Sequence, residues 1–193
     1  MPRTRTFIAV DIGDAVRKRA VALQKQLART AAGVNWSEPG GMHVTLLFLG
    51  EVDDREVVQV CRAVKEVAGR EPPFELRVSG VGAFPNLRRP KVVWAGVTDG
   101  ADVLQRLHAA LEEKMLALGC YRSEDRAYTP HLTLGRVTGD EDSSALATEI
   151  PKLSGWDGGQ TVVGEVRVYT SEMRREGPEY TVIARSALAG PPV

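Results

Sequence analysis

Two stretches carry the fold: His43–Leu49, HVTLLFL, and His131–Val137, HLTLGRV. Each is a short apolar run opened by His-x-Thr-Leu. Side chains alternate along a strand, so His43 and Thr45 share one face, while Val44, Leu46 and Phe48 share the other and can fill a core. The same parity puts His131 and Thr133 on one face, with Leu132 and Leu134 behind. Strict alternation also sends Arg136 to the face opposite His131, and a bulge or bend at Gly135 is needed to turn it inward. Residues two apart on a strand are separated by roughly 6.5 to 7 Å along it, so an imidazole and a hydroxyl can both reach one tetrahedral phosphate. Two such strands facing each other across a cleft would hold a phosphate from both sides.

Two histidines suit the opening of a cyclic phosphate. The reaction needs a base to take a proton from water and an acid to protonate the departing ribose oxygen. Histidine titrates near neutrality, with an ordinary pKa of about 6.5. One neutral and one protonated ring can therefore coexist, and the rate is expected to peak near neutral pH. Each positioned proton transfer contributes about 10²- to 10⁴-fold in rate. The threonine hydroxyls can donate to the phosphoryl oxygens. The chain has three histidines. Random placement of its threonines would give two His-x-Thr among them only about 1% of the time, so the pair is read as a site. The third histidine, His108, lies inside a helical pattern with no partner and reads as an ordinary helix residue. A module that only held phosphate would be better served by arginine than by two titrating rings.

Working outward, Arg5–Ile12 reads as a buried strand. Asp14 is expected to cap a helix with Val16, Ala20, Leu23 and Leu27 on one face, ended by Gly33. A short extended piece begins at Trp36, and Pro39-Gly40-Gly41 turns into the first motif strand. Asp53 and Glu56 make a capping-box pattern for a helix with the stripe Val57, Val60, Cys61, Val64 and Val67. Phe74, Leu76 and Val78 alternate as a strand, and Lys91–Val97 is another. Asp102 starts a helix with Leu104, Leu107, Leu111, Met115 and Leu118 on one face, closed by Gly119. After the second motif strand, Ser143–Ile150 reads as a short helix stopped by Pro151. Thr161–Thr170 and Tyr180–Arg185 read as the last strands. The pattern is α+β with two similar halves and no linker long enough to separate them, hence one domain over residues 1–193.

Apolar residues make up 43% of the 193 residues, enough for a core, and 25 basic residues balance 25 acidic ones. Neutrality disfavours coating of long nucleic acid and favours recognition of a short end. Cys61 and Cys120 form no C-x-x-C pair, and no His/Cys/Asp/Glu set has the spacing of a metal site, so neither a metal nor a cofactor is expected. Cys61 reads as a buried thiol. Two free thiols and the absence of a signal or membrane-spanning stretch suggest a cytoplasmic protein, read as a monomer with no membrane partner.

The quoted residues resemble the 2H phosphoesterase family, and within it the bacterial and archaeal RNA 2′,3′-cyclic phosphodiesterase branch, first known as 2′-5′ RNA ligase. RTFIAVDI is similar to the opening strand of that branch, VNWSEPGGMHVTLLFLGEV to its first motif region, and GAFPNLRRPKVVWAGV to its middle segment. TPHLTLGRV is similar to its second motif and VYTSEMRREGPEY to its C-terminal hairpin. The resemblance implies a single bilobal α+β domain, with two antiparallel sheets lining a central cleft and helices outside. It implies His43 as proton donor, His131 as proton acceptor, Thr45 and Thr133 as phosphate binders, Arg136 as a neutralising arginine and Phe48 as a base contact. It implies a substrate of RNA with a 2′,3′-cyclic phosphate end, opened to a 2′-phosphate. Other readings are a small cyclic nucleotide, or reversible cleavage of 2′-5′ RNA linkages. Leu47 departs from the polar or basic residue of many relatives. Arg88, Arg89 and Lys91, and separately Arg174-Arg175, are basic clusters that can guide an RNA strand.

Overall fold

The chain order of strands is β1 (Arg3–Asp11), β2 (Val34–Trp36), β3 (His43–Asp53), β4 (Phe74–Phe84), β5 (Val92–Val97), β6 (His131–Val137), β7 (Asp157–Val163), β8 (Glu165–Arg174) and β9 (Gly177–Ala187). Four helices, α1 (Gly13–Leu27), α2 (Asp54–Ala68), α3 (Ala101–Leu118) and α4 (Ser144–Lys152), are interleaved with them. The computed structural model describes residues 3–31, 33–123, 127–138, 144–174 and 177–191. Ser143 and Arg175 lie outside the described residues.

The strands lie in the order β7-β4-β5-β6-β3-β1-β8-β9, with β2 also on β6. Every pairing is antiparallel. The two halves of this curled sheet join where β3 meets β6, at the single register pair Val44↔Leu132. Each half carries one motif strand, so the motifs meet at the seam. The segment expected as one strand over 161–170 divides at Gly164: β7 pairs with β4 at one end of the sheet and β8 with β1 at the other. Periodicity could not show that break, because both pieces alternate in the same way.

The helices cover one face only. Residues Val16, Ala20, Leu23 and Leu27 of α1 are buried, as are Leu104, Leu107, Leu111 and Met115 of α3. They share one core with Ile8, Val10, Val44, Leu46, Leu132 and Leu134 from the strands. Full burial of such side chains stabilises by about 1.5–3 kcal/mol each, which fixes which face of β3 and β6 turns inward. Asp53 caps α2 by accepting from the Arg55 N–H. Asp14 is in the first turn of α1 and does not cap it, because the helix already begins at Gly13. Helix α4 continues through Pro151 to Lys152. Burial pushes the thiols of Cys61 and Cys120 up, and both are half-buried. Among the described residues no helix is long and apolar enough to cross a membrane.

Candidate active site

Val44 and Leu132 face each other across the seam and are both fully buried in the helix-side core. Their neighbours along each strand therefore point to the opposite, concave face. Carrying the register one residue each way sets His43 across from Thr133 and Thr45 across from His131. By that register the four side chains stand at the corners of a square, with the imidazoles on one diagonal and the hydroxyls on the other. Diagonal neighbours in such a pair of strands lie about 7–8 Å apart, with their Cβ atoms somewhat closer, a span that one phosphate can bridge.

Parity breaks after each threonine. On β3, Ala9 pairs with Thr45 but Ile8 pairs with Leu47, so Leu46 is an extra, bulged residue. On β6, Trp94 pairs with Thr133 but Val93 pairs with Gly135, so Leu134 is the extra one. Both bulged leucines are buried. The consequence is the same in both motifs: the third residue after threonine changes face. Phe48 does not fill the core as alternation required; it is 55% exposed, with its ring 5.7 Å from that of Phe7. Leu47 takes the buried place, which is why it is apolar here. Arg136 is exposed and close enough to His131 to oppose its protonation. The turn that Arg136 needed is made at Leu134, one residue before Gly135. Phe48 and Arg136 are thus equivalent positions of the two motifs.

An aromatic box surrounds His43. Its ring stacks on Phe7 at 4.8 Å between centroids, lies near Tyr169 at 5.6 Å, and meets Tyr180 edge-on at 5.5 Å. Phe7, Ala9 and Tyr169 form a small apolar cluster separate from the main core. Burial there lowers the His43 pKa to about 4; the Gly41 backbone carbonyl and Asp11 work against this, while Arg17 adds to it. Burial also lowers the pKa of His131, opposed by its bond to Thr129 and aided by Arg136. His131 Nδ1 lies 2.8 Å from the Thr129 carbonyl. A carbonyl only accepts, so Nδ1 carries the proton and a neutral His131 presents a bare Nε2. Each ring is thus supported by a carbonyl two residues upstream, Gly41 or Thr129. On the other side, Phe84 meets His131 edge-on at 5.0 Å, and Trp94, paired with Thr133, lies 6.4 Å from it.

Sequence reasoning missed the supports of His43. Asp11 pairs with His43 in register. Arg17 Nη2 lies 2.6 Å from Asp11, and its Nη1 donates to the carbonyls of Pro39 and Met42. That fork fixes the turn leading into His43. The one available signal was an aspartate ending a buried strand. Two hollows border the site. One, of about 690 Å³, is lined by Trp94, Asn86 and Arg88; the other, of about 570 Å³, is lined by Phe48, Tyr121, Arg3 and Arg122. Arg89 and Lys91 are exposed, whereas Arg174 is paired with Glu172 and Glu179. Among the described residues no group of three or more His, Cys, Asp or Glu could hold a metal ion.

Residues 10–94 match the model of the LigT-like phosphoesterase family. A curated relative from Methanothermobacter thermautotrophicus, named RNA 2′,3′-cyclic phosphodiesterase, is 35% identical over 93% of this chain and 96% of its own. The chain belongs to the LigT-like 2H phosphoesterases. Two crystal structures share the fold of this phosphoesterase. A Thermus thermophilus protein superposes with a TM-score of 0.82 at 29% identity, covering 96% of this chain and 98% of its own. Escherichia coli LigT complexed with 3′-AMP superposes with a TM-score of 0.76 at 27% identity, covering 97% and 99%. The α+β class expected from the order of elements and the enzyme class expected from the two motifs agree with these relatives.

Proposed function

We propose that this phosphoesterase hydrolyses 2′,3′-cyclic phosphate ends of RNA to 2′-phosphates, with His43 and His131 as a metal-independent acid–base pair. The observation that carries this reading is the square at the seam, with two imidazoles on one diagonal and two hydroxyls on the other. The name of the Methanothermobacter relative supports the substrate. Neutral His131, its Nδ1–H committed to Thr129, takes a proton from water through Nε2. The water oxygen bonds to phosphorus while the bond from phosphorus to the ribose 3′-oxygen breaks. Protonated His43 gives its proton to that departing oxygen. Entering and leaving oxygens lie on opposite sides of phosphorus, as in-line displacement requires, and the two rings occupy opposite corners. Thr45 and Thr133 donate to the non-bridging oxygens, Arg136 offsets their charge, and Phe48 packs on the base. Both motif positions that change face at a bulge thereby serve the substrate.

Burial that depresses the His43 pKa makes its protonated form a strong acid. A phosphate diester anion beside the ring restores the proton, because an opposite charge within a few ångström favours the charged form. E. coli LigT holds 3′-AMP, which favours a site that also accepts a cyclic mononucleotide; RNA guided by Arg88 and Arg89 is the preferred substrate in this reading. The test is to digest a cyclic-ended RNA in excess EDTA and compare the product with 2′- and 3′-phosphate standards. A 2′-phosphate is expected; a 3′-phosphate would reverse the assigned orientation.

A further inference from the structure

A bulge leaves its extra residue outside the ladder, and a buried carbonyl without a donor costs about 1–3 kcal/mol. At each bulge a side chain from the helix behind donates to the carbonyl of the extra leucine. His108, on α3, lies with Nδ1 2.7 Å from the carbonyl of Leu46. Since a carbonyl only accepts, Nδ1–H is the donor. The ring stacks on Tyr128 at 4.2 Å and 9°, and the Tyr128 hydroxyl donates to the Thr45 carbonyl at 2.8 Å. His108 Nε2 faces Glu112 at 4.0 Å. His108 is therefore more than the ordinary helix residue its surroundings in sequence suggested. On the other half, Gln24 of α1 is buried, and its Nε2 donates to the Leu134 carbonyl at 2.7 Å and to the Ser37 carbonyl at 2.9 Å. Leu134 also accepts from the Ser37 N–H.

We propose that His108 and Gln24 are positioning residues, each latching the carbonyl of one bulged leucine and so setting how Phe48 and Arg136 face the substrate. The two latches come from different helices and use different chemistry, yet they hold equivalent atoms, Leu46 O and Leu134 O. The His108 latch is expected to matter more, because Leu134 keeps its bond from Ser37 when Gln24 is removed. The part of this proposal that concerns substrate rests on the reaction assigned above; the part that concerns the bulges does not.

The experiment has two readouts on His108→Leu, His108→Asn and Gln24→Met. Asparagine can return a donor at the place of Nδ1, whereas leucine and methionine keep bulk without one. In hydrogen exchange, His108→Leu should speed exchange at residues 46–49 more than at 131–137, and Gln24→Met the reverse, with His108→Asn restored toward the wild type. Kinetics on a cyclic-ended RNA should show KM raised about 5- to 20-fold for His108→Leu, with the pH profile of kcat unmoved. That rise should vanish in a Phe48→Ala background but persist in Arg136→Ala, and the pairing should be opposite for Gln24→Met. Exchange unchanged at 46–49 in folded His108→Leu would overturn the latch. Local exchange as expected, with KM effects that multiply in every background, would overturn its role toward substrate. A wild-type protein without turnover would contradict the assigned reaction instead, and the exchange pattern would still decide the latch.

Discussion

A histidine kept neutral by its surroundings is a weak participant in acid catalysis until an anion arrives beside it. His43, packed among Phe7, Tyr169 and Tyr180, has its pKa lowered to about 4, and that of His131 is lowered too. The ratio kcat/KM reports the free protein, so its optimum should fall below pH 6.5, lower than the neutral peak that unperturbed histidines would give. The parameter kcat reports the complex, in which the phosphate anion favours protonated His43, so its acid-side optimum should move up. Parallel pH–rate profiles for the two parameters, or a kcat/KM optimum at pH 7.5, would show that the aromatic box does not govern the acid. The placement of His43 with Thr45, and of His131 with Thr133, on one face of each strand was legible in sequence because period two puts residues two apart on the same side. The perturbation of His43 was not legible, since Tyr169 and Tyr180 come from strands more than a hundred residues away.

At the scale of elements, the two bulges explain both where alternation succeeded and where it failed. Period two placed every residue up to Thr45 and Thr133 correctly. It then sent Phe48 to the core, because nothing in HVTLLFL distinguishes a bulged leucine from a paired one. The hint was indirect: two consecutive leucines, Leu46 and Leu47, compete for one inward place, and a bulge lets both be buried. In the second motif the corresponding residue is Gly135, where a Cβ would lie 2.8 Å from Val34 Cγ1, 2.9 Å from Trp36 and 3.1 Å from the Asn35 carbonyl. Glycine there lets β2 pair closely with β6 beside the bulge. Gly135→Ala should therefore cost about 1–3 kcal/mol by overpacking and raise KM through displacement of Arg136. Urea unfolding and steady-state kinetics check both; a variant as stable as the wild type would show that β2 yields without cost. The division of residues 157–174 into β7 and β8 was equally hidden, because the sequence carries no sign of which half of the sheet each piece joins.

Across the whole molecule, the curled sheet brings two halves together at one register pair and puts one imidazole on each side of that seam. The α+β class and the two-half plan were legible from element order, whereas the seam was not, since it depends on non-local pairing. Burial of a titrating group at the seam ties folding to pH. A histidine whose folded pKa is lowered binds its proton more readily when unfolded, so its stabilising contribution is complete above pH 6.5 and is lost as pH falls toward about 4. His43→Gln should accordingly flatten the decline of Tm between pH 7 and pH 4.5; an unchanged slope would show that other groups set acid stability. The acid–base pair is tested most directly by turnover of a cyclic-ended RNA by the His43→Ala, His131→Ala double variant in excess EDTA. Each single variant should fold normally and lose about 10²-fold or more, and the double should lose little beyond the worse single, because the pair acts as one unit. Near wild-type turnover by the double variant, or wild-type activity lost to EDTA and restored by zinc or magnesium, would contradict the mechanism.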